Sequence, residues 1–228
     1  MRYRYLLIDN DNTLMDFSAA EHKALNETLE AAGLPTDADT VSAYVRINDA
    51  LWKALERGET TQAALKIERF AQLLDYLGMP RDTAPQLGAA YAENLGHHAD
   101  LLPDAMAFME AVHGKMKIAL VSNGISRIQR SRLSKCPFTP LLDAVVISEE
   151  IGVSKPDPAM VTKALDMLGC TDKHEAVLLG DSLSADVGAA NNAGIDSIWL
   201  SAKGLTSEKA TYSVKTLEEA REILNSEC

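Results

Sequence analysis

Short apolar runs, each closed by polar or glycine-containing residues, recur at Tyr5–Ile8, Lys117–Val121, Ala144–Ile147, Ala176–Leu179 and Ser197–Leu200. They are continuous rather than alternating, the pattern of strands covered on both faces in a parallel sheet. Helical spacing separates them. Val161, Ala164, Leu165 and Leu168 share one helix face and stop at Gly169, a C-terminal cap. This alternation predicts a doubly wound α/β core with a parallel, Rossmann-like sheet. Residues 18–96 follow another rhythm. Leu25, Leu29 and Ala32 run to Gly33; Val41, Val45, Asn48, Trp52 and Leu55 run to Gly58. Ile67, Phe70, Ala71, Leu74 and Leu77 run to Gly78, and a weaker pattern covers Thr83–Leu95. Four amphipathic helices without a strand between them predict an all-helical insert over 17–100, with the core built from 1–16 and 101–228.

Composition adds little to the fold but narrows the ligand. The chain has 228 residues, 46% of them hydrophobic, enough for a sizeable core. Its net charge is −11 and no basic run stands out. Such a surface repels polymeric nucleic acid and anionic membranes and favours a small, metal-screened anion. Cys136, Cys170 and Cys228 have no CxxC spacing, which argues against a disulfide framework or a zinc site and for a reducing cytoplasm. The start MRYRYLLIDND holds too short an apolar run for a signal peptide, and no stretch approaches the ~20 apolar residues of a membrane span. Monomer and homodimer are both open.

In an open parallel sheet, ligands bind beyond the carboxyl ends of the strands. Four polar clusters follow apolar runs and should meet there: Asp9/Asp11, Ser122-Asn123-Gly124, Lys155-Pro156, and Gly180-Asp181 with Asp186. Carboxylates, a hydroxyl, an ammonium and loop amides suit a phosphate with a hard divalent cation such as Mg²⁺. Singly, each cluster has an ordinary explanation as a turn or a helix cap. Their joint order is harder to explain that way.

That ordered set resembles the haloacid dehalogenase superfamily, whose pattern DxDxT, Ser/Thr, Lys and GDxxxxD is matched by Asp9-Asn10-Asp11-Asn12-Thr13, Ser122, Lys155 and Gly180-Asp181 through Asp186. The helical insert resembles that superfamily's C1 cap. The segments IALVSNGISRIQRSRL, DAVVISEEIGVSKPDPAM and LLGDSLSADVGAANNAGIDSIWL look like the noncanonical pyrimidine nucleotidases within it. The resemblance implies that Asp9 is a nucleophile forming an aspartyl-phosphate. It implies Mg²⁺ held by Asp9, the Asp11 carbonyl and Asp181, with Lys155 neutralising charge. Ser122 and the amides about Asn123 and Gly124 would bind phosphoryl oxygens. Asp186 would orient Lys155 or a metal-bound water. Asp11 would protonate the leaving oxygen, a duty that the superfamily's dehalogenases lack together with this residue.

The expected substrate is a small phosphate ester, a pyrimidine nucleoside monophosphate first. A sugar-phosphate or phosphoglycolate phosphatase, a phosphomutase and a non-catalytic binding module are the alternatives. Phe17, just after the nucleophile loop, is a candidate substrate contact. Trp52, Tyr44 and Tyr91 read as bundle core, with stacking on a substrate base the rarer option. His97 and His98 read as a solvated helix end.

Overall fold

The computed structural model describes residues 2–226; Cys228, one of the three cysteines, lies outside the described residues. In chain order the elements are β1 (Tyr5–Ile8), α1 (Phe17–Ala31), α2 (Ala38–Glu56), α3 (Gln62–Tyr76), α4 (Ala84–Leu95) and α5 (Ala105–Val112). Then come β2 (Lys117–Ser122), α6 (Ser126–Lys135), β3 (Ala144–Ile147), α7 (Ser148–Ile151), α8 (Pro158–Leu168) and β4 (Ala176–Gly180). The order closes with α9 (Gly188–Ala193), β5 (Asp196–Leu200), β6 (Tyr212–Val214) and α10 (Leu217–Asn225). The chain divides into two compact units. One holds the chain up to Phe17, Asp100–Ser126 and everything from Leu133 on; the other holds Ser18–Ala99 and Arg127–Arg132.

In the first unit six parallel strands lie in the order β3-β2-β1-β4-β5-β6. β1 is wholly buried and β2 nearly so, as continuous apolar runs require. Tyr5, Leu7, Ala119, Val121, Ala176 and Leu178 point to one face, where Met160, Val161 and Ala164 of α8 and Ala189 and Ala190 of α9 cover them. α10 packs against α5, β5 and β6. Asp157 caps α8, accepting from the Ala159 amide at 2.8 Å, and Pro158 occupies its first turn. α8 ends at Gly169, whose φ of +69° is the left-handed conformation that a C-terminal cap asks of glycine. β6 has no counterpart in the sequence prediction. Its three residues are half-buried except Val214, too short an apolar signal to register.

The second unit contains the helices α1 to α4. Asp37 caps α2 by accepting from the Asp39 and Thr40 amides, and Thr61 caps α3 through the Ala64 amide, so each side chain meets amides that the helix leaves without a partner. The inward stripe of α2 differs from the expected one. Val45 is 37% exposed and Ile67 of α3 is 44% exposed, although apolar spacing assigns both to the bundle interior. The buried positions of α2 are Thr40, Ala43, Tyr44 and Asn48, so a partly polar face turns inward and displaces the valines. Tyr44 and Tyr91 are fully buried as expected, and Trp52 is half-buried. Arg132 joins this unit through its Nε, which donates to the His98 carbonyl at 2.9 Å. Among the described residues no helix is long and apolar enough to cross a membrane.

Candidate active site

Parallel strands bring their carboxyl ends to one rim. Ile8 of β1 lies level with Leu120 of β2 and Leu179 of β4, so the chain leaves each strand at nearly the same height. The Asp9 amide still donates to the Leu179 carbonyl at 2.9 Å, which fixes the first residue beyond β1. Next the chain turns sharply. The Asn10 carbonyl accepts from the amides of Leu14 and Met15 at 2.9 Å each, and Asn12 takes a φ of +57°, which asparagine tolerates. This turn carries Asp11, half-exposed, back beside Met15.

Lys155 forms the centre of the site. Its ammonium donates to Asp9 Oδ1 at 2.6 Å, Asp186 Oδ1 at 2.6 Å and the Val121 carbonyl at 2.7 Å. An ammonium has three protons, and all three are engaged. The residue is 1% exposed, as a buried lysine can be only when its charge is met. Asn123 holds the same residue by its backbone, donating to the Lys155 carbonyl at 2.8 Å and accepting from the Lys155 amide at 2.7 Å. The Asn123 side chain therefore clamps the Lys155 backbone. Ser122, buried at the end of β2, accepts from the Gly124 amide at 3.0 Å.

Asp186 sits in a single π-helical turn, Leu183–Val187, capped by Ser182 through the Ala185 amide. Its second oxygen accepts from the Ser182 amide at 2.9 Å. Both oxygens are thus committed, which suits a group that aims Lys155. Gly180 makes room for it: a Cβ on Gly180 would lie 2.3 Å from Asp186 Cγ. Beyond Gly180, Asp181 is pinned through its carbonyl, which accepts from Trp199 Nε1 at 2.7 Å.

Carboxylates outnumber the ammonium here, and their protons are held accordingly. Burial pushes Asp9 up to about 7; Lys155 opposes that rise, while Asp186 and Asp11 add to it. Burial and then the charge of Asp9 raise Asp181 to about 8. For Lys155 burial alone would favour the neutral amine, but Asp186 and Asp9 outweigh it and push the group well above the usual lysine range. Oxygens of Asp9, Asp181 and Asp186 lie within 4.8 Å of one another, close enough to hold one cation. The set is all hard oxygen and carries excess negative charge, so a divalent cation of the magnesium type fits it. Asp186 is spoken for by its hydrogen bonds, leaving Asp9 and Asp181 as the available carboxylate ligands.

Of the residues singled out in the sequence, Asp9, Lys155 and Asp186 are bonded directly and Asp181 completes the carboxylate group. Ser122 and Gly124 stand at the neighbouring strand end, and the charge of Asp11 reaches both Asp9 and Asp181. Phe17 is the first residue of α1 and is half-buried. The Val121 carbonyl, Trp199 and the Ser182 amide were not foreseen. Two act through the backbone, and Trp199 is hidden within an apolar strand, so no spacing signal marks them.

The haloacid dehalogenase-like hydrolase family matches the chain over residues 6–200. The pyrimidine 5'-nucleotidase PynA of Streptococcus pneumoniae is 32% identical over 99% of this chain and 96% of its own length. The pyrimidine 5'-nucleotidase YjjG of Escherichia coli is 27% identical over 98% of this chain and 99% of its own length. Among solved structures, the hydrolase YfnB of Bacillus subtilis, bound to magnesium, superposes with a TM-score of 0.92 at 30% identity, covering 99% of this chain and all (100%) of that one.

Proposed function

Since the chain belongs to the haloacid dehalogenase-like hydrolases, we propose that it is a Mg²⁺-dependent 5'-nucleotidase that hydrolyses pyrimidine nucleoside monophosphates through an aspartyl-phosphate. The observation that carries the phosphohydrolase part is the Lys155 ammonium, joined at 2.6 Å to Asp9 and to Asp186 beside the second carboxylate Asp181. The two nucleotidase relatives support the substrate.

Asp9 would attack phosphorus with its free oxygen, replacing one hard displacement by two easier ones. A carboxylate is a ready nucleophile once ionised, and the obstacle is the charge of the phosphate it approaches. Mg²⁺, held by Asp9 and Asp181, would supply electrostatic stabilisation of that charge. Lys155 would orient Asp9, oppose the rise that burial imposes on its carboxyl, and add a fixed positive charge beside the transferring group. Ser122 and the nearby loop amides are the candidates for binding phosphoryl oxygens. Asp11 would give its proton to the leaving oxygen and afterwards take one from the attacking water. A dehalogenase has no alkoxide to protonate, so Asp11 favours phosphoryl transfer.

Phosphate release from a panel tests the reading, with UMP and dTMP set against phosphoglycolate and sugar phosphates, each with Mg²⁺ and with EDTA. Faster release from the nucleotides and none in EDTA is expected. Equal rates on sugar phosphates would remove the nucleotidase assignment, and no metal-dependent release would remove the phosphohydrolase one.

The raised carboxyls predict a pH effect. Unfolded aspartate titrates near ~3.9, whereas Asp9 and Asp181 hold their protons to about 7 and about 8. The folded metal-free protein binds more protons across that interval, so its stability must fall as pH rises. The gain is fully present below about pH 4 and lost on passing pH 7 to 8. Thermal unfolding in EDTA should therefore show a lower Tm at pH 8 than at pH 6. Added Mg²⁺, which competes with those protons, should raise Tm more at pH 8.

A further inference from the structure

A carboxylate can hold a cation only from where its backbone puts it, and Asp181 stands one residue beyond the end of β4. Its carbonyl accepts from an indole, Trp199 Nε1, at 2.7 Å. Trp199 is buried on β5, level with Gly180, the last residue of β4. The indole therefore reaches only one residue farther along the neighbouring chain. The next amide, that of Ser182, donates to Asp186 Oδ2 at 2.9 Å. The Asp181 carbonyl and the Ser182 N–H are the two ends of one planar peptide group. Both ends are held, so the plane cannot turn and the Asp181 side chain leaves a fixed backbone.

This clamp also ties Asp181 to the rest of the site. Asp186 Oδ1 accepts from Lys155, and the same ammonium donates to Asp9 Oδ1, each at 2.6 Å. A continuous set of bonds thus runs from Trp199 through the Asp181–Ser182 peptide, Asp186 and Lys155 to Asp9. Oxygens of Asp9, Asp181 and Asp186 come within 4.8 Å of one another, and like charges so close repel. A free backbone would let Asp181 turn away from that repulsion. Mg²⁺ tolerates little departure from octahedral geometry, so it gains from a ligand that is already aimed.

We propose that Trp199 is a positioning residue for the metal site: its indole N–H fixes the Asp181 peptide and thereby sets the affinity for Mg²⁺. This rests on the metal-dependent part of the reading above and not on the nucleotide. Packing alone is the competing account, because a buried indole N–H needs some acceptor and a buried carbonyl some donor. The two accounts part when ring and donor are separated. Phenylalanine keeps a six-membered aromatic ring and drops the N–H. Histidine keeps a five-membered ring, with Nε2 in the place of the indole nitrogen, and drops the benzene half.

The test is titration calorimetry of Mg²⁺ alone into the intact protein at pH 8, where an imidazole is uncharged. Trp199→Phe should raise the Kd for Mg²⁺ by about three- to tenfold, the worth of one neutral hydrogen bond behind a metal ligand. Trp199→His should stay within about twofold of the wild type, although it buries less apolar surface and lowers Tm further. Trp199→Met, also without a donor, takes the place of Trp199→Phe if that variant does not fold. An unchanged Kd in the folded donor-free variant, or a Kd for Trp199→His as high as that variant's, would make the indole structural and overturn the proposal. A wild type that binds no Mg²⁺ removes the phosphohydrolase reading and the proposal with it. A wild type that binds Mg²⁺ without preferring UMP removes only the nucleotidase assignment, and the order of the three Kd values still decides for or against Trp199.

Discussion

Asp9→Asn is expected to abolish turnover, by about a thousandfold or more, while the protein stays folded. The magnitude follows from losing the nucleophile itself, the kind of group whose removal costs enzymes most. The fold should persist because the amide is the same size and its oxygen can still accept from Lys155 at the 2.6 Å position of Asp9 Oδ1. Stability should even rise in metal-free buffer, since one of the carboxylates that raise Asp181 is gone. Two measurements check this: phosphate release from UMP under saturating Mg²⁺, and a thermal melt in EDTA. Substantial turnover by Asp9→Asn would assign the attack to another group and end the aspartyl-phosphate mechanism.

Lys155→Met should be inactive for a different reason and should also unfold easily. Three bonds leave with the ammonium, and the Asp9 and Asp186 carboxylates are left buried without their cation. Breaking one partner out of a buried ion pair costs about 3–5 kcal/mol, because the remaining charge has lost its compensation. The cost is avoidable by protonation, so it must be smaller at low pH. Urea midpoints at pH 8 and at pH 5.5 should show a large deficit for Lys155→Met at the first and a reduced one at the second. An equal deficit at both values would place the damage in packing rather than charge. Asp9→Asn and Lys155→Met therefore part on stability although both lose activity.

The core was legible because its strands are buried on both faces. Leu6, Leu7 and Ile8 have no polar neighbour to interrupt them, and the clusters beyond such runs must share a rim in a parallel sheet. Chain order alone thus gathers Asp9, Ser122, Lys155 and Asp181 at one edge. It does not reveal the partner of each atom. That Asn123 clamps the Lys155 backbone, or that Gly180 clears space for Asp186, depends on distances that composition does not encode. The helical unit was misread where its interior is polar. Periodicity assigns Val45 and Ile67 inward because they are apolar, yet both are exposed while Thr40 and Arg69 are buried. A buried arginine looks like a surface residue until its neighbours are known.

The sheet order β3-β2-β1-β4-β5-β6 has a bearing on biosynthesis. The earliest of these strands to leave the ribosome is an interior one. Both of its edges stay unpaired until β2 and then β4 have been made, with the whole helical unit translated in between. An apolar four-residue strand with two open edges is a template for wrong pairing. The nascent chain must keep it sheltered through that interval, and Asp9 at its end can meet Asp181 and Asp186 only once β4 and the turn after it have been made.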